Sequence, residues 1–153
     1  MPAKTTHAAA ALAIRQELKR RGIEGRVTAK SYSGGSSVDI HVTDLAPVVV
    51  RELREHFQQY AMGTFDGRDD SYNYTNRRDD LPQVQFVVVN SHISDALAAR
   101  IWDYCRRTFA ELAGAPEQCD ETAYFAGLDG YGAQIVGRAY DGRIGAFWPE
   151  AAQ

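Results

Sequence analysis

Cysteine is scarce in this sequence: 153 residues hold two, Cys105 and Cys119. Neither sits in a Cys/His spacing of the zinc type. A reduced, intracellular setting is therefore the default expectation. Long apolar runs are lacking too. The longest, Ala8 to Ile14, is mostly alanine, and the most hydrophobic, Phe86 to Val89, is shorter still. Neither approaches the ~20 residues a membrane helix needs. The first residues, Met1 to Ala13, have no leucine-rich core, so no signal peptide is expected. A basic excess is missing as well: 17 Lys and Arg stand against 20 Asp and Glu, a net charge of −3. That balance argues against a general nucleic-acid binder, whose affinity rests on displaced counterions. Nucleophile-elbow, zinc-protease and dinucleotide fingerprints are all absent.

What is present is an ordinary folded composition, with 44% apolar and 24% charged residues. It predicts a single domain over 1–153. The charge is uneven. Residues 1–30 carry seven basic side chains against Glu17 and Glu24, whereas residues 31–153 carry ten basic against eighteen acidic. The basic start offers Arg15, Lys19, Arg20, Arg26 and Lys30 as candidate phosphate contacts; a solvated helix face is the plainer account of such a run.

Periodicity predicts a first helix from a cap at Thr5 or Thr6 to about Arg21, with Ala11, Ile14 and Leu18 inward and Gly22 at its end. Arg26–Tyr32 and Ser37–Thr43 alternate as a hairpin joined by Ser33-Gly34-Gly35-Ser36. In that register Lys30 faces Asp39, Thr28 faces His41 and Val27 faces Val42. Asp44 is placed to cap a second helix over Leu45–Tyr60. A long polar segment follows, Met62–Pro82, and then a central strand, Val84–Val89. Ser91 or Ser94 opens a third helix, which Gly114 and Pro116 end. Asp141-Gly142 predicts a second hairpin, with Ala139 facing Ile144. The whole reads as an α+β fold: a mostly antiparallel sheet, three main helices and two β-hairpins. It falls into a helix-hairpin-helix-loop part, 1–80, and a strand-helix-hairpin part, 83–150.

Little in this order carries chemistry. The Ser33–Ser37 run lacks the lysine of a phosphate loop and joins two strands, so a turn accounts for it. His41 is the one histidine with partners that can be placed, Lys30 and Asp39, and no nucleophile accompanies it. Cys105 falls on a buried helix position, and Cys119 lies among carboxylates that discourage a thiolate. Asp66, Asp69 and Asp70 could hold a hard cation, but their spacing is not that of a calcium loop. No catalytic residue, metal or cofactor is assigned, and the protein is not expected to be an enzyme. The loop itself is the unusual feature. Its length is uncommon inside a compact domain, and it mixes acids with the tyrosine and arginine that dominate interface hot spots. A loop packed by its own tyrosines is the competing account. Asp66, Asp69, Asp70, Tyr72, Tyr74, Asp79 and Asp80 are the candidate partner-binding residues, and the acidic stretch 111–130 is a second surface.

Lys30-Ser31-Tyr32-Ser33-Gly34-Gly35-Ser36-Ser37-Val38-Asp39-Ile40, then Thr43-Asp44, then Thr64-Phe65-Asp66-Gly67 with Asp70 and Tyr72, resembles a large polyvalent protein associated domain over residues ~8–75. Leu45-Ala46 departs from that pattern, where Gly-Pro is expected. Such domains occur in proteins of phages and conjugative elements, and they carry no catalytic role that transfers to these residues. The resemblance implies a mobile-element origin and a role against host defences. A small acidic chain of this kind looks like an anti-CRISPR protein, working in the bacterial cytoplasm by binding a CRISPR-Cas or other defence complex. Direct nucleic-acid contact is the alternative; no membrane partner is expected.

Overall fold

The computed structural model describes residues 6–148. Its elements in chain order are α1 (Thr6–Arg20), β1 (Gly25–Tyr32), β2 (Gly35–Thr43), α2 (Pro47–Phe57), β3 (Thr64–Asp66), β4 (Ser71–Asn73), β5 (Phe86–His92), α3 (Asp95–Thr108), β6 (Tyr124–Phe125), β7 (Gly130–Tyr131) and α4 (Gly132–Tyr140). This is an α+β fold. It divides into two compact units, one made of residues up to Thr43 with Val50–His92, the other of Asp44–Val49 with residues from Ile93 on.

The first unit is a three-stranded sheet, in the order β1-β2-β5, with helices on one face. α1 turns Ala10, Ala11, Ile14 and Leu18 inward. It stops where Gly22 takes φ +70 and the amides of Gly22 and Ile23 bond back to Lys19 and Leu18, the paired bonds by which a left-handed glycine closes a helix. Of its expected caps, Thr5 lies outside the described residues. β1 and β2 are antiparallel, and the apolar side chains Val27, Val38, Ile40 and Val42 share the covered face as expected. The pairing, however, is displaced by two residues: Tyr32 faces Gly35, Lys30 faces Ser37, Thr28 faces Asp39 and Arg26 faces His41. The loop shortens to Ser33-Gly34, with Gly34 at φ +91, the positive value a type II turn needs at its third position. A two-residue slip keeps every side chain on its own face, so alternation alone cannot detect it.

β5 runs parallel to β2 and lies at the edge of the sheet, not at its centre. Its apolar run had suggested cover on both faces; instead Val89 is buried and Val88 exposed. Val50, Leu53 and Phe57 of α2 face the core, and Arg54 donates from Nη2 to the Val89 carbonyl at 3.1 Å. The opposite face is the more exposed one, with Arg26, Lys30, Val88 and His92 exposed on it. Its rows, read across the strands, are Lys30-Ser37-Phe86, Thr28-Asp39-Val88 and Arg26-His41-Asn90, with Thr43 beside His92.

The second unit centres on Trp102, packed with Leu97, Ile101, Cys105, Leu112, Ile135, Val136 and Ala139. Ser94 caps α3, its hydroxyl accepting from Leu97 N. Asp44, expected to cap α2, serves α3 instead: it sits at φ +60 and its carboxylate accepts from both the amide and the hydroxyl of Ser94. α2 begins at Pro47, where a missing N–H costs nothing. The second hairpin predicted at Asp141-Gly142 is not formed. Ile135, Val136 and Ala139 are spaced as one helical stripe and are buried on α4. Gly142 has φ +75, and the amides of Gly142 and Arg143 bond to Ala139 and Arg138, so the Asp-Gly pair closes a helix as Gly22 does. At the start of α4 a Cβ on Gly132 would stand 2.2 Å from the Asp120 carbonyl; only glycine fits there.

Candidate functional site

The long polar segment is built, not loose. β3 and β4 pair as a short hairpin, Thr64 facing Asn73 and Asp66 facing Ser71. A Cβ on Gly63 would stand 1.8 Å from the Asn73 carbonyl, so close approach of the two strands requires glycine there. Beyond the hairpin, side-chain amides replace strand pairing. Buried Gln83 donates to the carbonyls of Gln59 and Asn76 and accepts from Arg78 N, and Asn76 donates to Ala61 O. Nothing in the local sequence distinguishes Gln83 and Asn76 from the solvated residues around them.

This hairpin sets its rings at one end of the open sheet face. Phe65 and Tyr72 both lie edge-on to Phe86, at 6.3 and 5.4 Å between centroids, and Tyr72 meets Tyr74 at 4.8 Å. The Arg77 guanidinium lies 5.0 Å from the Tyr74 ring centre. The Tyr72 hydroxyl donates to the Gln85 carbonyl at 2.5 Å, and burial pushes that phenol up. Gln85 also abuts Gly35, where a Cβ would meet its Oε1 at 2.1 Å. The Ser-Gly-Gly and Phe-Asp-Gly runs, some thirty residues apart in the chain, therefore meet around Gln85 and Phe86.

The seven candidate residues divide into two groups. Asp66 accepts from Arg68 N and its guanidinium, which hold its carboxyl below the usual range; Arg78 does the same to Asp80. Asp69 accepts from the amide and hydroxyl of Ser71. These three carboxylates shape turns, and Tyr72 is a packing residue. Tyr74 is 52% exposed, as is Phe65 at 50%. Asp70, at φ +55, and Asp79 are exposed and engage no partner among the described residues.

The opposite end of the open face holds a constellation the sequence did not reveal. His41 lies beside His92, Nδ1 to Nε2 at 3.4 Å, with Arg26 opposite it and Asp39 next along the same strand face, whereas Lys30 faces Ser37 and lies two rungs away. They form one wall of a cavity of about 550 Å³, also lined by Glu24, Gly25, Arg26 and Thr43. The parallel pairing of β5 with β2 creates this neighbourhood, and no local pattern signals a parallel partner fifty residues away.

The basic candidates do not form one patch. Arg15 donates to the Val27 carbonyl at 2.7 Å. Arg20 and Arg21 both grip Glu17, whose carboxyl they hold down to about 2. Lys19 is exposed on α1, while Arg26 and Lys30 are exposed on the open face of β1. In the acidic stretch, Asp120 binds Thr122 and Tyr124 donates to the Asp129 carboxylate. Burial pushes the Cys105 thiol up to about 11 and Cys119 in the same direction, which suits packing better than nucleophilic attack.

No family model matches the sequence, and no curated protein or solved structure matches the chain. Among the described residues no helix is long and apolar enough to cross a membrane.

Proposed function

We propose that the protein acts by binding, as a mobile-element-encoded inhibitor of host defence that occupies a CRISPR-Cas or related nucleic-acid-processing complex in the bacterial cytoplasm. The observation that supports binding is the contact chain Phe65-Phe86-Tyr72-Tyr74-Arg77, fixed on a hydrogen-bonded hairpin with two rings half-exposed. Rigid aromatic and arginine anchors lose little entropy on association and dominate interface energetics. Asp70 and Asp79 flank them in sequence as uncompensated acids, suited to the basic channels through which such complexes hold DNA or RNA. The choice of a defence complex as partner rests on the resemblance of residues ~8–75 to large polyvalent protein associated domains. Its test is phage plaquing on CRISPR-immune cells. Expression of the protein should restore plaquing, and the Tyr74→Ala/Asp70→Lys variant should not. Equal restoration by both would remove the hairpin from the mechanism; immunity unchanged by either would remove the defence complex.

A second reading is direct nucleic-acid contact. Arg26, Lys30 and half-exposed Tyr32 share the open face of β1, a cation and aromatic combination that can hold single strands. It requires a salt-sensitive shift of a labelled strand that weakens in Arg26→Ala/Lys30→Ala.

A further inference from the structure

We infer that His41 and His92 bind a divalent transition-metal ion of the zinc, nickel or copper class between them. Two nitrogens each ~2.0–2.1 Å from a tetrahedral ion stand about 3.4 Å from one another. The facing nitrogens of this pair are 3.4 Å apart, a long hydrogen-bond contact whose donor depends on the tautomer and the spacing two such nitrogens have on one ion. The rings lie within 14° of parallel, with centroids 5.7 Å apart. The two nitrogens therefore face each other head-on, and each ring must turn by about 35° for both lone pairs to meet on one tetrahedral ion.

The backbone makes this pairing durable. His41 pairs with Asn90 and Thr43 with His92 in the β2–β5 register, so the two imidazoles are diagonal neighbours on one sheet face. Sites carried on strands hold their geometry better than sites on loops. The donor set also selects the ion: imidazole nitrogen suits zinc, nickel and copper, whereas magnesium and calcium take oxygen. The cavity lining holds one acidic and one basic residue, Glu24 and Arg26, which bring no net formal charge to the ion, and affinity rests on the two nitrogens. Among the described residues no group of three His, Cys, Asp or Glu converges. The site is therefore open, with water in its remaining positions, facing the cavity. It lies at the far end of the sheet face from the aromatic hairpin and stands or falls independently of the binding reading.

The test is calorimetric titration of the full chain with nickel, zinc and magnesium chlorides. It is run on wild type, His41→Gln, His92→Gln and, as a control, His56→Gln. One nickel or zinc per chain is expected, with no response to magnesium and with affinity kept in His56→Gln. Each of the two site variants should bind about tenfold more weakly, or worse. Binding as tight in both site variants as in wild type overturns the inference, as does an equal response to magnesium. Copper(II) bound to the wild-type protein gives a second readout that needs no variant. Its electron paramagnetic resonance spectrum should carry coupling from two imidazole nitrogens, and a spectrum with one or none contradicts the site.

Discussion

The two ends of the open sheet face are built on different principles. At the end where β5 starts, Phe86 is closed over by Phe65 and Tyr72, and the Tyr72 hydroxyl is tied to the backbone. At the end where β5 finishes, His41 and His92 border a cavity and depend on strand register alone for their positions. The first end gains rigidity from an added hairpin and spends most of its polar groups on itself. The second leaves nitrogen donors unburied. One sheet thus carries packed rings at one end and an open recess bordered by two imidazoles at the other.

The sharpest way to break this contrast is Gly63→Ala. The new Cβ would overlap the Asn73 carbonyl, so the hairpin must shift, at a cost of about 1–3 kcal/mol. Denaturant melts should record that loss, with exchange protection falling in β3–β4 and persisting in β1–β2. Gly35→Ala meets side-chain atoms alone, the Gln85 amide end at 2.1 Å and the edge of the Tyr32 ring at 3.1 Å, and should cost less. Tyr72→Phe removes the bond to Gln85 O and should cost about 1 kcal/mol. At the other end, His92→Gln should alter stability by no more than about 0.5 kcal/mol, as exposed positions usually do; a larger loss would mean the histidine end is load-sharing structure and no open site.

Acid sharpens the same comparison. The folded-state pKa values of Asp66 and Asp80 are depressed by Arg68 and Arg78. Their contributions are complete above the ordinary carboxylate range and fade as pH falls through and below 3.8, the unperturbed aspartate value. Glu17 behaves alike, losing its contribution between 4.5 and about 2. Exchange protection in the hairpin should therefore drop over that window in wild type and less so in Asp66→Asn.

Much of this architecture was legible in the sequence, and the misreadings have a common cause. Gly22 and Gly142 close helices with the same pair of backbone bonds. Gly22 follows a long alanine-rich stripe that announces a helix. Gly142 follows nine residues that include Gly132 and Gly137, so local propensity is weak and packing against α3 decides. The β1–β2 faces were legible because alternation fixes them; the register was not, because a slip of two preserves alternation. The hairpin residues stood out by composition, yet the sequence could not say that Asp66, Asp69 and Asp80 would turn to their own backbone and arginines. His92 was missed because only tertiary pairing brings it to His41.

The central claim is that the exposed side of the β3–β4 hairpin and the residues after it bind a protein partner. Affinity capture of the tagged protein from cells carrying an active CRISPR-Cas complex tests it most directly, with wild type compared with Tyr74→Ala/Asp70→Lys. Neither side chain makes a turn-forming hydrogen bond; because Asp70 holds φ +55, a conformation lysine adopts less readily, Tyr74→Ala alone is captured alongside as the control. The account predicts stoichiometric recovery of the complex by wild type and recovery at least about tenfold lower with the variant, the effect of losing a hot-spot anchor. Equal recovery by the two proteins, or recovery of no nucleic-acid-processing complex by wild type, would contradict it.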